Sequence, residues 1–88
     1  MSKWNVYVLR CADGSLYTGI AMDVERRVEE HNSDNLRAAA YTRSRRPVTL
    51  VYREAARTRS AAGKREYRIK QMSRDQKEAL IKSATRER

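Results

Sequence analysis

The chain predicts an α/β fold: a small three-stranded antiparallel sheet flanked by helices, in the order β-β-α-β-α-α. Three observations carry this. Short runs rich in Val, Leu, Tyr and Ile stand at positions 4–11, 16–20 and 48–53, and such runs favour strands. Between and after them, apolar residues recur at helical spacing behind capping side chains. The whole chain is 88 residues long, which leaves space for one modest core. Residues 1–84 are therefore expected to form a single domain, with the tail 85–88 frayed.

Each element follows from its residues. Trp4 to Cys11 and Leu16 to Ile20 read as a hairpin around the Asp13-Gly14 turn signal. Asp23 can cap a helix within Met22 to Asn32, whose Val24 and Val28 share a face. Ser33 to Arg46 is polar and aperiodic, and is expected as a long basic loop that Pro47 ends. Val48 to Arg53 alternates as a third strand. Ser60 to Met72 predicts a helix with Ser60 as its cap. Ser73 followed by Gln76 matches the capping box, so a last helix should run from Arg74 to about Ala84.

Charge narrows the function. There are 20 Lys and Arg against 11 Asp and Glu, a net charge of +9 and a pI near 10.3. A field of that sign attracts polyanions, nucleic acid first among them. No segment has the aromatic apolar face of an interfacial anchor, none has transmembrane length, and the N-terminus is no secretory signal. A cytoplasmic bacterial protein with no membrane association fits. The lone Cys11 cannot form an intrachain disulfide, and with one histidine it makes no thiol-imidazole metal set. It reads as a small apolar residue at a strand end rather than a nucleophile.

Two helices carry residues that a core-facing stripe should not. Positions 24, 27, 28 and 31 share one face, and Arg27 and His31 are two of the four. They are either solvated at the rim or part of a site, while Arg26 points elsewhere. Glu66 falls within the stripe Ala62, Glu66, Ile69. A glutamate there needs an ion pair, with Arg27 or another arginine, or a metal. On the hairpin, a two-residue Asp13-Gly14 turn puts Tyr7 and Tyr17 on opposite faces. A three-residue loop, Asp13-Gly14-Ser15, puts them on the same one. Gly19 interrupts the second strand, the mark of a bulge or of a close approach by another group.

With those residues in place, the chain resembles the GIY-YIG nucleases. Asn5-Val6-Tyr7 and Tyr17-Thr18-Gly19 are similar to the two tripeptides that name the family, and Arg27 and Glu66 follow in order. The runs Tyr41 to Pro47 and Glu66 to Lys70 resemble the small stand-alone YhbQ-like (UPF0213) group. The resemblance spans Trp4 to about Ile81. Asn5 replaces the first glycine and Thr18 the middle isoleucine, and His31 stands where UvrC-type nucleases carry a tyrosine.

The resemblance implies a GIY-YIG-type endonuclease acting on phosphodiester bonds, with Tyr7, Tyr17, Arg27, His31 and Glu66 as its active-site residues. It implies one divalent metal ion, Mg²⁺ or Mn²⁺, on Glu66, and a setting in repair or recombination. Arg27 can hold a phosphate oxygen. Tyr17, or else Tyr7, is the candidate base, and either needs a lowered pKa or a relay. His31 titrates near neutrality without perturbation and can take a proton from a tyrosine. Arg43, Arg45 and Arg46 in the loop, with Lys64, Arg65 and Lys70 on the helix, are the candidate phosphate contacts, and Tyr41 either stacks on a base or packs on the third strand. The expected partner is nucleic acid, DNA favoured over RNA, with no protein partner implied. With no second DNA-binding domain in the chain, binding should be weak, salt-sensitive and poorly selective. Two rivals share the fold: a non-catalytic nucleic-acid-binding module, and a pseudo-nuclease used for protein contacts.

Overall fold

The computed structural model describes residues 3–86. Its elements are β1 (Trp4–Arg10), β2 (Leu16–Ala21), α1 (Val24–Ser33), α2 (Ala40–Arg43), β3 (Thr49–Ala56), α3 (Arg59–Gln71) and α4 (Arg74–Arg86). This is the predicted α/β order with a one-turn helix, α2, added inside the segment expected as loop. The strands form one antiparallel sheet in the order β2-β1-β3, so the first strand is central.

The hairpin loop decides which side chains share a face. The Cys11 N–H donates to Ser15 O at 2.8 Å and the Gly14 N–H to Cys11 O at 2.9 Å. That is a three-residue loop, Ala12-Asp13-Gly14, one residue earlier than the Asp13-Gly14-Ser15 alternative. Its turn closes on Gly14 at φ 85°, a left-handed conformation that glycine adopts without a Cβ clash. Leu9 then pairs with Tyr17 and Tyr7 with Gly19, so both tyrosines lie on one face.

The sheet is covered on both sides. Val24 and Val28 of α1 pack on Tyr7, Leu9, Cys11, Tyr17 and Ala21. On the other face Val6 and Val8 meet Ala62 and Ile69 of α3 and Ile81 of α4. Cys11 is thus a buried core residue.

Helix starts follow capping chemistry. Asp23 accepts from the Arg26 N–H, and Ser73 with Gln76 closes the reciprocal box. At α3 the cap is Thr58, which accepts from the Ala61 N–H, and not Ser60. The threonine stands one residue before the first helical position, where its oxygen can reach the orphan amides. α4 is helical to Arg86, past the expected Ala84. Of the tail 85–88, residues 87 and 88 lie outside the described ones. No helix among the described residues is long and apolar enough to cross a membrane.

Candidate active site

The hairpin face and α1 build the centre of the site. Tyr7 is buried in the central strand, and its ring lies across Gly19 of the edge strand. A methyl group at Gly19 would stand 2.6 Å from the Tyr7 hydroxyl oxygen and 2.7 Å from its Cζ. Gly19 is therefore a seat for the ring, the close approach that its place in a strand signals. Gly19→Ala should dislodge Tyr7 and cost roughly 1–3 kcal/mol, the usual penalty for overpacking. Urea unfolding measures it, and an unchanged midpoint would show that the ring yields freely.

The Tyr7 hydroxyl meets His31 Nε2 at 2.8 Å, and His31 Nδ1 meets Thr42 Oγ1 at 2.8 Å. Thr42 Oγ1 also lies 2.9 Å from Ala39 O, and the Ala39 N–H donates to His31 Nδ1 at 3.4 Å. Both imidazole nitrogens are therefore partnered, and the direction of each bond follows the ring's tautomer. Thr42 and His31 are both fully buried. Tyr7, His31, Thr42 and Ala39 thus form one buried hydrogen-bonded chain, to which α2 contributes Thr42.

Burial sets the charge states. The Tyr7 pKa is pushed up to about 12, chiefly by burial, with the neighbouring Tyr17 and Glu66 adding and Arg27 opposing. The His31 pKa is pushed down to about 4, again chiefly by burial, with the positive Arg27 and Arg46 adding and Glu30 opposing. His31 is consequently neutral at pH 7. Titration near neutrality, as expected of a free imidazole, does not hold in this pocket, because a protonated ring would lose its hydration with no carboxylate hydrogen-bonded to it.

A stability prediction follows. The unfolded chain takes up a proton on His31 below about pH 6.5, whereas the folded chain does not until about pH 4. The stabilisation is therefore present above pH 6.5 and lost as pH falls toward 4, to roughly 3 kcal/mol. Urea midpoints should fall more steeply across that window in the parent than in His31→Gln, whose own smaller decline comes from carboxylates held below their ordinary values, Glu78 first among them. Parallel profiles in the two proteins would contradict the buried neutral imidazole.

Around this pair the other residues take distinct places. The Tyr17 ring stands edge-on to His31, 5.2 Å between centroids, and stacks on Tyr41 at 6.0 Å. Its hydroxyl has no hydrogen-bond partner among the described residues, and the side chain is only half-buried. Arg27, 28% exposed, donates to Glu30 at 3.1 Å and to Arg37 O at 2.7 Å, and its charge is felt at Tyr7. Arg26 is 70% exposed and faces away. Glu66 comes from the helix on the opposite face. It is half-buried at the rim of the apolar stripe and not in its middle, and its ion partner is Lys70 at 3.2 Å, not Arg27. Its charge also reaches Tyr7.

The six cations predicted to contact phosphate divide. Arg43 is tied to Asn35 O at 2.8 Å. Arg45 donates to Asp13 and to Tyr41 O, and lies 3.9 Å over the Tyr41 ring. Arg46 caps His31 O at 2.7 Å and Asn35 Oδ1 at 2.8 Å, with its Nη2 buried. Arg46 braces the loop against α1, Arg45 ties it to the hairpin turn, and Arg43 ties it to the residue two past the end of α1. Arg65 pairs with Glu54 and Lys70 with Glu66. Lys64 alone of the six has no ion pair or hydrogen bond among the described residues. Tyr41 packs on Tyr17 rather than on the third strand.

Sequence reasoning missed Thr42 and Glu30. Thr42 sits inside the run read as a basic loop, where only its spacing of four from Ala38 hints at a buried helical face. Glu30 is an ordinary i+3 partner of Arg27 and carries no motif.

Comparisons with known proteins find a family and several relatives. A family model described as the GIY-YIG catalytic domain matches residues 3–79. The chain is 58% identical over 81 residues to a UPF0213 protein of Desulfotalea psychrophila, covering 92% of this chain and 73% of that relative. It is 57% identical over 77 residues to a UPF0213 protein of Halobacterium salinarum, covering 88% and 97%. Two solution NMR structures are similar. The UPF0213 protein BH0048 from Bacillus halodurans is 41% identical with a TM-score of 0.57, covering 93% of this chain and 84% of that one. The protein EF2693 from E. faecalis is 40% identical with a TM-score of 0.64, covering 97% and 88%.

Proposed function

Since the chain belongs to the GIY-YIG catalytic-domain family, alongside relatives that bear the UPF0213 name, we propose that it is a metal-dependent endonuclease. It would hydrolyse phosphodiester bonds in nucleic acid, DNA rather than RNA, in a cytoplasmic repair or recombination setting. The observation that carries the reading is the meeting of Tyr7, Tyr17 and His31 at one corner, with Arg27 and Glu66 both felt electrostatically at Tyr7. A protein that only bound polyanions would gain nothing from a half-buried carboxylate there.

Glu66, half-buried at the rim and bridged among the described residues only to Lys70 on its own helix, would be the residue to hold one divalent cation. No three His, Cys, Asp or Glu side chains converge among the described residues. A single carboxylate suits Mg²⁺ or Mn²⁺, which keeps waters and completes its shell with substrate oxygens. When bound, the cation neutralises charge that develops on the phosphate.

The protein groups have separable roles. Arg27 holds a non-bridging oxygen, its guanidinium aimed by Glu30 and Arg37 O. Tyr17, half-exposed and with a free hydroxyl, takes or relays the proton of the attacking water. The Tyr7 hydroxyl is held between His31 and Arg27 and so links the imidazole to the guanidinium. His31 and Thr42 position Tyr7 and touch no substrate.

The alternative is a non-catalytic basic nucleic-acid-binding module on the same fold. The Glu66–Lys70 pair favours it, since a carboxylate satisfied by an ammonium needs no metal. The deciding experiment incubates the pure protein with labelled duplex, branched and single-stranded DNAs and RNAs in Mg²⁺, Mn²⁺ or EDTA. Cleavage that EDTA abolishes is expected. Binding with no cleavage in either metal would leave the module reading.

A further inference from the structure

Among the described residues most basic side chains are engaged. Of those without an ion pair, hydrogen bond or ring contact (Lys3, Arg57, Lys64, Arg68, Lys77 and Lys82), only Lys64 and Arg68 stand one turn apart on one helix. On α3, positions 60, 63, 64, 67 and 68 project opposite the buried Ala62 and Ile69. Lys64 and Arg68, one turn apart there, have no hydrogen bond or ion pair among the described residues. Between them stands Tyr67, 66% exposed and the second most exposed large apolar residue described, after Leu36. Gly63 on the same face has nothing within 4 Å of where a Cβ would be. These residues, with Ser60 and Ala61, line an open hollow. A second hollow shares Ser60 and Gly63 and continues to Ile20 on β2, the strand that carries Tyr17.

We propose that this face of α3 is a nucleic-acid track, with Lys64 and Arg68 on phosphates and Tyr67 as a stacking platform for an unpaired base. The charge identifies the class of ligand: two unneutralised cations one turn apart, on a chain of net charge +9, attract a phosphate backbone. The tyrosine identifies the form. A ring at this exposure stacks only on a base whose face is free, in a single strand, an end or a flap, because bases in a duplex already stack on both sides. The glycine identifies the route. On the helix, Gly63 lies between the flank that bears Glu66 and the face that bears Tyr67, and its missing side chain lets a backbone cross close to α3. The track rests on the nuclease reading for its connection to Glu66, but its binding is measurable without it.

The test is fluorescence anisotropy in EDTA with a short labelled single-stranded DNA and a blunt duplex of the same sequence. Tyr67→Ala should weaken single-strand binding about five-fold or more, the usual cost of losing one stacked base, and leave the duplex nearly unchanged. Tyr67→Phe should bind like the parent. Lys64→Ala with Arg68→Ala should lower the salt slope on the single strand by about 1.4, at about 0.7 per phosphate. Unchanged single-strand affinity in Tyr67→Ala, or equal losses on both ligands, would overturn the track. The same variants are assayed for cleavage in Mg²⁺. Parent-like cleavage with unaltered binding in Tyr67→Ala sinks the track alone. Tyr67-dependent binding without cleavage in the parent supports the track and removes the nuclease reading.

Discussion

Glu66→Gln is expected to bind nucleic acid and remain folded while losing cleavage by two or more orders of magnitude, on the order of what losing one preorganised charge-stabilising group costs. The side chain keeps its length and shape but no longer holds a cation. Folding is spared because the parent pair with Lys70 is an i,i+4 bridge at a half-open site, worth about 0.5 kcal/mol at most. Single-turnover cleavage in saturating Mg²⁺, beside a urea midpoint, separates the two effects. A variant that cleaves at the parent rate would remove Glu66 from the metal-binding role.

Arg27→Ala should lower the turnover rate roughly 100-fold or more, with a much smaller change in substrate affinity. Its contact strengthens as charge builds on the phosphate, so the loss belongs to the transition state. Two controls guard against a structural explanation. Arg26 shares the Glu30 carboxylate but faces solvent, so Arg26→Ala should be nearly silent. Arg27→Lys keeps the charge without the fork that spans Glu30, Arg37 O and a substrate oxygen, and should recover only part of the rate. Equal losses from Arg26→Ala and Arg27→Ala would defeat the assignment.

The strands and the three main helices were legible because each depends on neighbours in sequence: alternation, caps, turn chemistry. The cap of α1 and the box before α4 are local hydrogen bonds and read directly. The hairpin register was legible only as two alternatives, since a one-residue difference in the loop chooses the face. Helix spacing brought Arg27 to His31 and marked Glu66 as out of place. It could not say that Glu66 would sit at a rim or pair with Lys70, because rim and core are decided by how α3 lies across the sheet. The loop was least legible. Arg43, Arg45 and Arg46 resemble solvated phosphate contacts in sequence. Their partners, Asn35, Asp13 and His31 O, lie 8 to 32 positions away, where no periodicity operates.

The seat of Tyr7 over Gly19 ties reactivity to durability. The hydroxyl that His31 orients belongs to a ring in the central strand, packed with Leu9 and Val24. The ring cannot leave its place without opening the core. Such a centre has no melting event of its own. Heat inactivation and global unfolding should share one midpoint, and the fraction of active molecules at any temperature is the folded fraction. If the exposed face of α3 is the nucleic-acid track proposed above, the same rigidity leaves accommodation to differently shaped substrates to that face.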